Sequence, residues 1–176
     1  MNKAVFMDRD GTLTGHAHYL SDPNELRIPK SSINALRLLK DSEFKVIVVT
    51  NQSGIGRGYF TKDILDEIHG RMFDIIEGEG LRVDALYYCP HIPDENCSCR
   101  KPKPGLIEQA MKEHDIDPHG SFMVGDQSTD ILAGQRAGLS TILVKTGYAG
   151  GDGILSVPAD FVASDLFEAV KLILGR

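Results

Sequence analysis

The sequence has no tryptophan, only 7% aromatic residues and just three cysteines among its 176 residues. Three cysteines are too few for the disulfide framework that small secreted domains depend on. Cys89, Cys97 and Cys99 also crowd into one short stretch, which points to metal ligation in a reducing compartment. Positive charge is scarce too, with 19 Lys and Arg against 25 Asp and Glu, a formal net charge of −6. Such a chain has no basic field to attract nucleic acid, so no nucleic-acid partner is expected. No apolar run approaches the roughly 20 residues a membrane span requires. The opening Met1-Asn2-Lys3 runs into a strand-like segment without the apolar region and cleavage site of a signal peptide. These absences predict a cytoplasmic protein with no membrane partner. No repeat, low-complexity tract or linker interrupts the chain, and residues 1–176 are expected to form one domain.

What is present is alternation. Ala4–Met7, Lys45–Val49, Ala85–Tyr88, Ser121–Val124 and Thr141–Val144 are short runs rich in β-branched and aromatic residues, and they read as buried strands. A late strand is expected at Asp160–Ala163. Between these runs, residues 31–40, 62–79, 105–114 and 130–137 carry helical apolar spacing, and 166–174 adds a closing helix. Strand–helix alternation of this kind specifies an α/β fold, a three-layer, doubly wound (Rossmann-like) parallel sheet with helices on both faces. Ligands in such folds bind beyond the carboxyl ends of the strands, so polar clusters directly after strands are the candidates for chemistry.

Four clusters pass that filter. Asp8-Arg9-Asp10-Gly11-Thr12 follows the first strand. Two close carboxylates there repel each other unless a cation lies between them or one is protonated. With magnesium present, Asp8 can attack phosphorus, while Asp10 protonates the leaving oxygen and later activates water. Thr50-Asn51-Gln52-Ser53-Gly54-Ile55-Gly56-Arg57-Gly58 follows the second strand and offers hydroxyls, amides and a guanidinium to phosphate oxygens. Cys89, His91, Cys97 and Cys99 form C-x-H-x5-C-x-C, two ligand pairs able to pinch one tetrahedral zinc with no open position, hence a structural site. Arg100 and Lys101 come directly after it and supply a fork and a point charge for phosphate. Gly125-Asp126-Gln127-Ser128-Thr129-Asp130 follows the fourth strand. Asp126 is placed to complete a magnesium shell with Asp8 and Asp10, while Asp130 caps the next helix or orients a metal-bound water. His16 and His18 read as solvated loop residues, and His69, His114 and His119 as surface residues.

Taken in order, Asp8-x-Asp10-Gly11-Thr12, Thr50, Lys101 and Gly125-Asp126-x3-Asp130 resemble the four motifs of the haloacid dehalogenase (HAD) superfamily of phosphatases across nearly the whole chain. The loop at Thr50–Gly58, the C-x-H…C-x-C stretch and Arg100-Lys101-Pro102 resemble, more narrowly, the D-glycero-D-manno-heptose 1,7-bisphosphate phosphatases. This resemblance implies a HAD-like fold without a large cap domain, in which a zinc loop and a short flap stand in for the cap. It implies Asp8 as nucleophile and Asp10 as acid/base, with magnesium held by Asp8, the Asp10 backbone carbonyl and Asp126. Thr50 and Lys101 would hold the transferring phosphate. Asn51, Gln52, Ser53, Arg57 and Arg100 would touch the substrate, with His16 to Tyr19 as the flap. Gln127 departs from relatives that carry Lys at that position. The partner implied is a small sugar phosphate, acted on by a monomer.

Histidinol-phosphate phosphatases share the compact zinc spacing, so spacing alone does not separate the two substrates. Neutral Ser53 stands where the histidinol-type loop resembles one bearing Asp. With Arg57, Arg100, Lys101 and Lys103 nearby, the sequence favours a second phosphate over an ammonium group. A non-enzymatic receiver domain is the reading from a different class; against it stands Asp10, which a protein built to retain its phosphoryl group would not need.

Overall fold

The alternating pattern produces the sheet it predicts, in a computed structural model that describes residues 1–175. Among these residues six strands pair in parallel: β1 (Lys3–Met7), β2 (Phe44–Asn51), β3 (Ala85–Cys89), β4 (Phe122–Gly125), β5 (Ser140–Val144) and β6 (Phe161–Ala163). Their spatial order is β3-β2-β1-β4-β5-β6, the doubly wound order in which successive strands are added outward on one side of β1 and then on the other, with the switch between β1 and β4.

Side chains alternate across a strand, so each central strand feeds two cores. Val5 and Met7 of β1 and Val46 and Val48 of β2 enter one apolar cluster, together with Leu36, Leu39, Met72, Ile76 and Val170. Ala4 and Phe6, with Ile47 and Val49, enter the other, with Leu106, Ile107, Ala110 and Ala133. The first layer is therefore built by α1 (Lys30–Lys40), α2 (Lys62–Gly78) and α5 (Leu166–Leu174), the second by α3 (Gly105–His114) and α4 (Ser128–Arg136). Thr61 caps α2 by accepting from the Ile64 amide, and Asp165 caps α5 by accepting from that of Glu168.

Two boundaries differ from the sequence expectation in an informative way. The expected start of α4 at Asp130 moves back to Ser128, because Asp130 is the third residue of the helix and its carboxylate reaches back to the Gln127 amide at 3.0 Å. β6 begins at Phe161, because Asp160 instead accepts from the Thr141 amide at 2.7 Å and its hydroxyl at 2.8 Å. Among the described residues no helix is long and apolar enough to cross a membrane.

Candidate active site

The carboxyl ends of β1, β2, β3 and β4 deliver all four sequence clusters to one edge. Asp8 leaves β1 with its amide bonded to the Val124 carbonyl of β4 at 3.0 Å. Thr50 and Asn51 end β2, Cys89 ends β3 and Asp126 follows β4. Asp8, Asp126 and Asp130 are buried together, with carboxylate oxygens within 4.8 Å of one another. Into this group reaches Lys101, itself 3% exposed. Its Nζ lies 2.6 Å from both Asp8 and Asp130 and donates to the Val49 carbonyl at 2.7 Å.

Three carboxylates and one ammonium leave surplus negative charge in a dry place. Burial lifts the Asp8 carboxyl well above its ordinary range; Lys101 pulls it down, while Asp130, Asp126 and Asp10 push it further up. Burial, with Asp130 beside it, raises Asp126 to about 7. For Lys101 burial works the other way, yet Asp130 and Asp8 more than offset it and hold the amine above its usual value. A hard divalent cation fits this charge deficit and this all-oxygen donor set. Both oxygens of Asp130 are engaged, one with Lys101 and one with the Gln127 amide, while its carboxylate lies close to those of Asp8 and Asp126. Asp126 sits where two glycines make room: a Cβ at Gly11 would lie 2.6 Å, and one at Gly147 2.1 Å, from its Oδ2.

Asp10 does not join the carboxylate cluster. The sequence suggested two adjacent carboxylates facing a common cation, but the turn at Gly11 (φ 85°) ends the extended segment. The Asp10 side chain pairs instead with Arg9, at 2.7 Å from Nη2, and accepts from Gln52 Nε2 at 2.9 Å. It borders both a small inner chamber of about 40 Å³, lined by Asp8, Thr50, Lys101 and Asp130, and an outer cleft of about 240 Å³.

The expected substrate-contacting residues divide. His16, Tyr19, Asn51, Gln52, Ser53 and Arg100 all line the outer cleft. His16 and Tyr19 flank its mouth, His16 packed edge-on against Tyr148 at 4.7 Å and Tyr19 against Tyr59 at 4.9 Å. Asn51 has a structural task as well, because its amide accepts from the Lys101 N–H and donates to the Lys101 carbonyl, both at 3.1 Å. Arg57 is exposed, its guanidinium 6.0 Å from the Tyr19 ring, and the structure does not bring it into the cleft. Lys103 also turns away, donating to the Asn96 and Cys97 carbonyls at 3.1 and 2.9 Å. Arg100 is thus the basic side chain at the cleft, steadied by a 3.2 Å bond to the His91 carbonyl.

Cys89, His91, Cys97 and Cys99 converge. Their sulfurs are 3.1 to 3.5 Å apart, and His91 Nδ1 is 3.4 Å from Cys89 and 3.3 Å from Cys99. These separations exceed a disulfide bond of about 2.05 Å and approach the edge of about 3.8 Å expected for a tetrahedron with metal–sulfur bonds of about 2.3 Å. The donor set fits zinc.

Sequence reasoning missed three things here. Thr146, Tyr148 and Gly150 lie just past β5: Thr146 Oγ1 donates to the Gly11 carbonyl at 2.6 Å, and the Tyr148 and Gly150 amides donate to Asp126 Oδ2 and O at 2.8 and 2.7 Å. The strand-end rule applied to β5 would have found them. Arg9, 0% exposed, is the second omission. The third corrects an expectation: His69 is 6% exposed and buried against Arg9, with Nε2 3.1 Å from Nη1. The apolar spacing of α2 places it on the inward face beside Leu65, Ile68 and Met72.

Comparison with known proteins agrees with this geometry. Residues 98–169 match the HAD-hydrolase-like family model. A heptose-1,7-bisphosphate 7-phosphatase of Pasteurella multocida, named for the β anomer, is 42% identical, with 99% of this chain and 98% of that protein covered. One from Photorhabdus laumondii, named for the α anomer, is 35% identical, covering 97% and 96%. The crystal structure of a D,D-heptose 1,7-bisphosphate phosphatase from B. bronchiseptica, complexed with magnesium and phosphate, superposes with a TM-score of 0.90 at 34% identity, with 98% of each chain covered. Strand-end aspartates, buried lysine and parallel sheet together define a phosphatase of the HAD type, a class that uses Mg²⁺. Within that class the chain belongs to the D-glycero-D-manno-heptose-1,7-bisphosphate 7-phosphatase family.

One titration follows from the burial of His69. Burial, followed by Arg9, lowers its pKa from 6.5 to about 4; Asp10 and Asp66 oppose this, and the Tyr88 ring lies 5.8 Å away. Between these two values the unfolded chain binds a proton that the native state refuses. The full contribution is therefore present above pH 6.5 and lost as the pH falls toward 4, up to about 3 kcal/mol. Urea denaturation across this range is expected to show that loss, and His69→Gln should flatten it.

Proposed function

We propose that this chain removes the C7 phosphate of D-glycero-D-manno-heptose 1,7-bisphosphate through a phosphoryl-Asp8 intermediate. The observation that carries the reading is the pairing of buried Asp8 with Lys101 at 2.6 Å, at the floor of a chamber that opens past Asp10. Asp8 attacks phosphorus, and the P–O bond to the sugar breaks as Asp10 passes its proton to the leaving oxygen. In the second half Asp10 takes a proton from water, which hydrolyses the acyl phosphate and frees Asp8. Thr50 and Lys101 border the chamber where the phosphoryl oxygens gain charge. Asp8, Asp126 and the Asp10 carbonyl would hold Mg²⁺, which when bound neutralises nucleophile and phosphate together.

Substrate choice rests on the outer cleft. Asp10 is the one acidic residue among those lining it, and Arg9 already pairs with it. An ammonium group entering there would lack a partner, whereas a second phosphate would meet Arg100. With Arg57 and Lys103 outside, Arg100 alone supports this preference by charge. An unpaired charge in a dry site costs a few kcal/mol, enough for roughly tenfold or greater discrimination. Measured under identical magnesium, kcat/KM is expected to favour the heptose bisphosphate over histidinol phosphate by at least about tenfold. Equal or better hydrolysis of histidinol phosphate overturns the assignment.

Asp8→Asn keeps the shape of the side chain but cannot attack, so phosphate release should fall by more than about a hundredfold with the fold retained. Release within tenfold of the parent would sink the covalent mechanism.

Zinc at Cys89, His91, Cys97 and Cys99 is part of this proposal, as a staple that fixes Arg100. Protein purified without chelator is expected to hold stoichiometric zinc. Cys97→Ser should lower both zinc content and melting temperature and raise KM more than it lowers kcat. Absence of zinc, or a disulfide between two of these cysteines, refutes this.

A further inference from the structure

Arg9 lies between two acidic residues in sequence, yet its side chain turns wholly to one of them. Its Nε and Nη2 meet Asp10 Oδ1 and Oδ2 at 3.1 and 2.7 Å, a two-pronged grip that sets the plane of the carboxylate. The rest of the guanidinium is anchored as well. Nη1 lies 3.1 Å from His69 Nε2 in α2, and Nη2 donates also to Gln52 Oε1 at 3.1 Å. Gln52 Nε2 in turn donates to Asp10 Oδ2 at 2.9 Å and to Thr50 Oγ1 at 2.7 Å. Arg9 is 0% exposed and among the largest wholly buried side chains of the protein, and it lines neither chamber.

A buried guanidinium is a poor choice for stability alone, since an apolar residue of similar size often serves a core as well or better. What the arginine adds is direction. A carboxyl that must deliver a proton to one oxygen has to be held within a few tenths of an ångström of its line. Asp10 stands on a tight turn at the border of the two chambers, where Thr14 Oγ1 adds only a long 3.4 Å contact to Oδ1. We propose that Arg9, braced by His69, is the positioning residue that aims the Asp10 carboxyl at the leaving oxygen. This rests on the acid/base reading of Asp10 given above. Neither residue touches substrate; the imidazole acts by accepting from Nη1, so that the fork cannot swing away from Asp10.

Leaving-group dependence separates aim from mere structural support. An alkyl leaving group such as the heptose needs its oxygen protonated as the P–O bond breaks, whereas 4-nitrophenolate departs as a stable anion. The test is the ratio of kcat/KM for heptose 1,7-bisphosphate to that for 4-nitrophenyl phosphate, a quantity that reports the steps up to phosphorylation of Asp8. In His69→Leu, and more strongly in Arg9→Lys, this ratio is expected to fall about tenfold or more. His69→Gln, whose amide oxygen can accept from Nη1, should restore most of it. Circular dichroism and melting temperature verify the fold, and should His69→Leu fail to fold, the Arg9→Lys ratio decides. Equal losses on both substrates, or no loss on either, in a folded variant overturn the proposal. Asp10→Asn measured alongside keeps the two readings apart. A fall in the ratio for Asp10→Asn without one for the Arg9 and His69 variants defeats the positioning role alone; an unchanged ratio for Asp10→Asn defeats the acid/base reading and the positioning role with it.

Discussion

The ammonium of Lys101, locked 2.6 Å from both Asp8 and Asp130 beneath the surface, is the contact around which the site is assembled. Removing these three charges from water is costly, and a buried pair seldom repays that cost in stability. The surrounding structure therefore has to hold them in place. Asn51 clasps the Lys101 backbone from both sides, the Val49 carbonyl takes another of its protons, and the end of α4 fixes Asp130 by the bond to Gln127. Asn51 and Val49 belong to β2 and Gln127 follows β4, so the cluster is held from both neighbours of β1, at the crossing point of the doubly wound sheet.

Much of this was legible in the sequence, for physical reasons. Short continuous apolar runs specify strands buried on both faces, and two helical layers follow from the need to cover both faces, so Ala4–Met7 and Lys45–Val49 were legible from sequence alone. The four chemical clusters were legible because strand ends in this fold share one edge. Side-chain direction was not. That Asp10 turns from Asp8 toward Arg9 depends on the turn after it, and that Arg57 and Lys103 leave the cleft depends on loop paths with no periodicity to read. His69 shows how a residue is misjudged by type: imidazole is often solvated, but its position on α2 beside Ile68 and Met72 places it inward. Tyr148 went unseen because a glycine-rich stretch reads as an ordinary loop, although its amide donates to Asp126.

The two metal environments divide by donor softness. Hard oxygens gather at the strand ends, where a cation must also meet phosphate, while three thiols and an imidazole gather in the loop after β3. Thiolates favour zinc and carboxylates favour magnesium, so two different ions can be sorted without selective gates. The loop also sets the place of its neighbours. Cys99 stands two residues before Lys101, and the His91 carbonyl steadies Arg100, so the loop is joined to both the deep and the outer basic groups.

A protein without a large cap must build selectivity from short segments, and here the segments are tied to the residues proposed for catalysis. Gln52 lines the outer cleft yet bonds to Asp10 and Thr50. Tyr148 walls the cleft through its ring, packed on His16, while its amide grips Asp126. On the proposed reading of the site, the same residues face the sugar and hold the acid/base or the metal-site carboxylate, so a leaving group that pressed on the cleft walls would act on catalytic geometry without any hinge. Binding energy remote from phosphorus can then be expressed in the chemical step. Cleft wall and proposed machinery are joined by hydrogen bonds of 2.7 to 2.9 Å, so in that reading the fit of the sugar and the aim of Asp10 are linked.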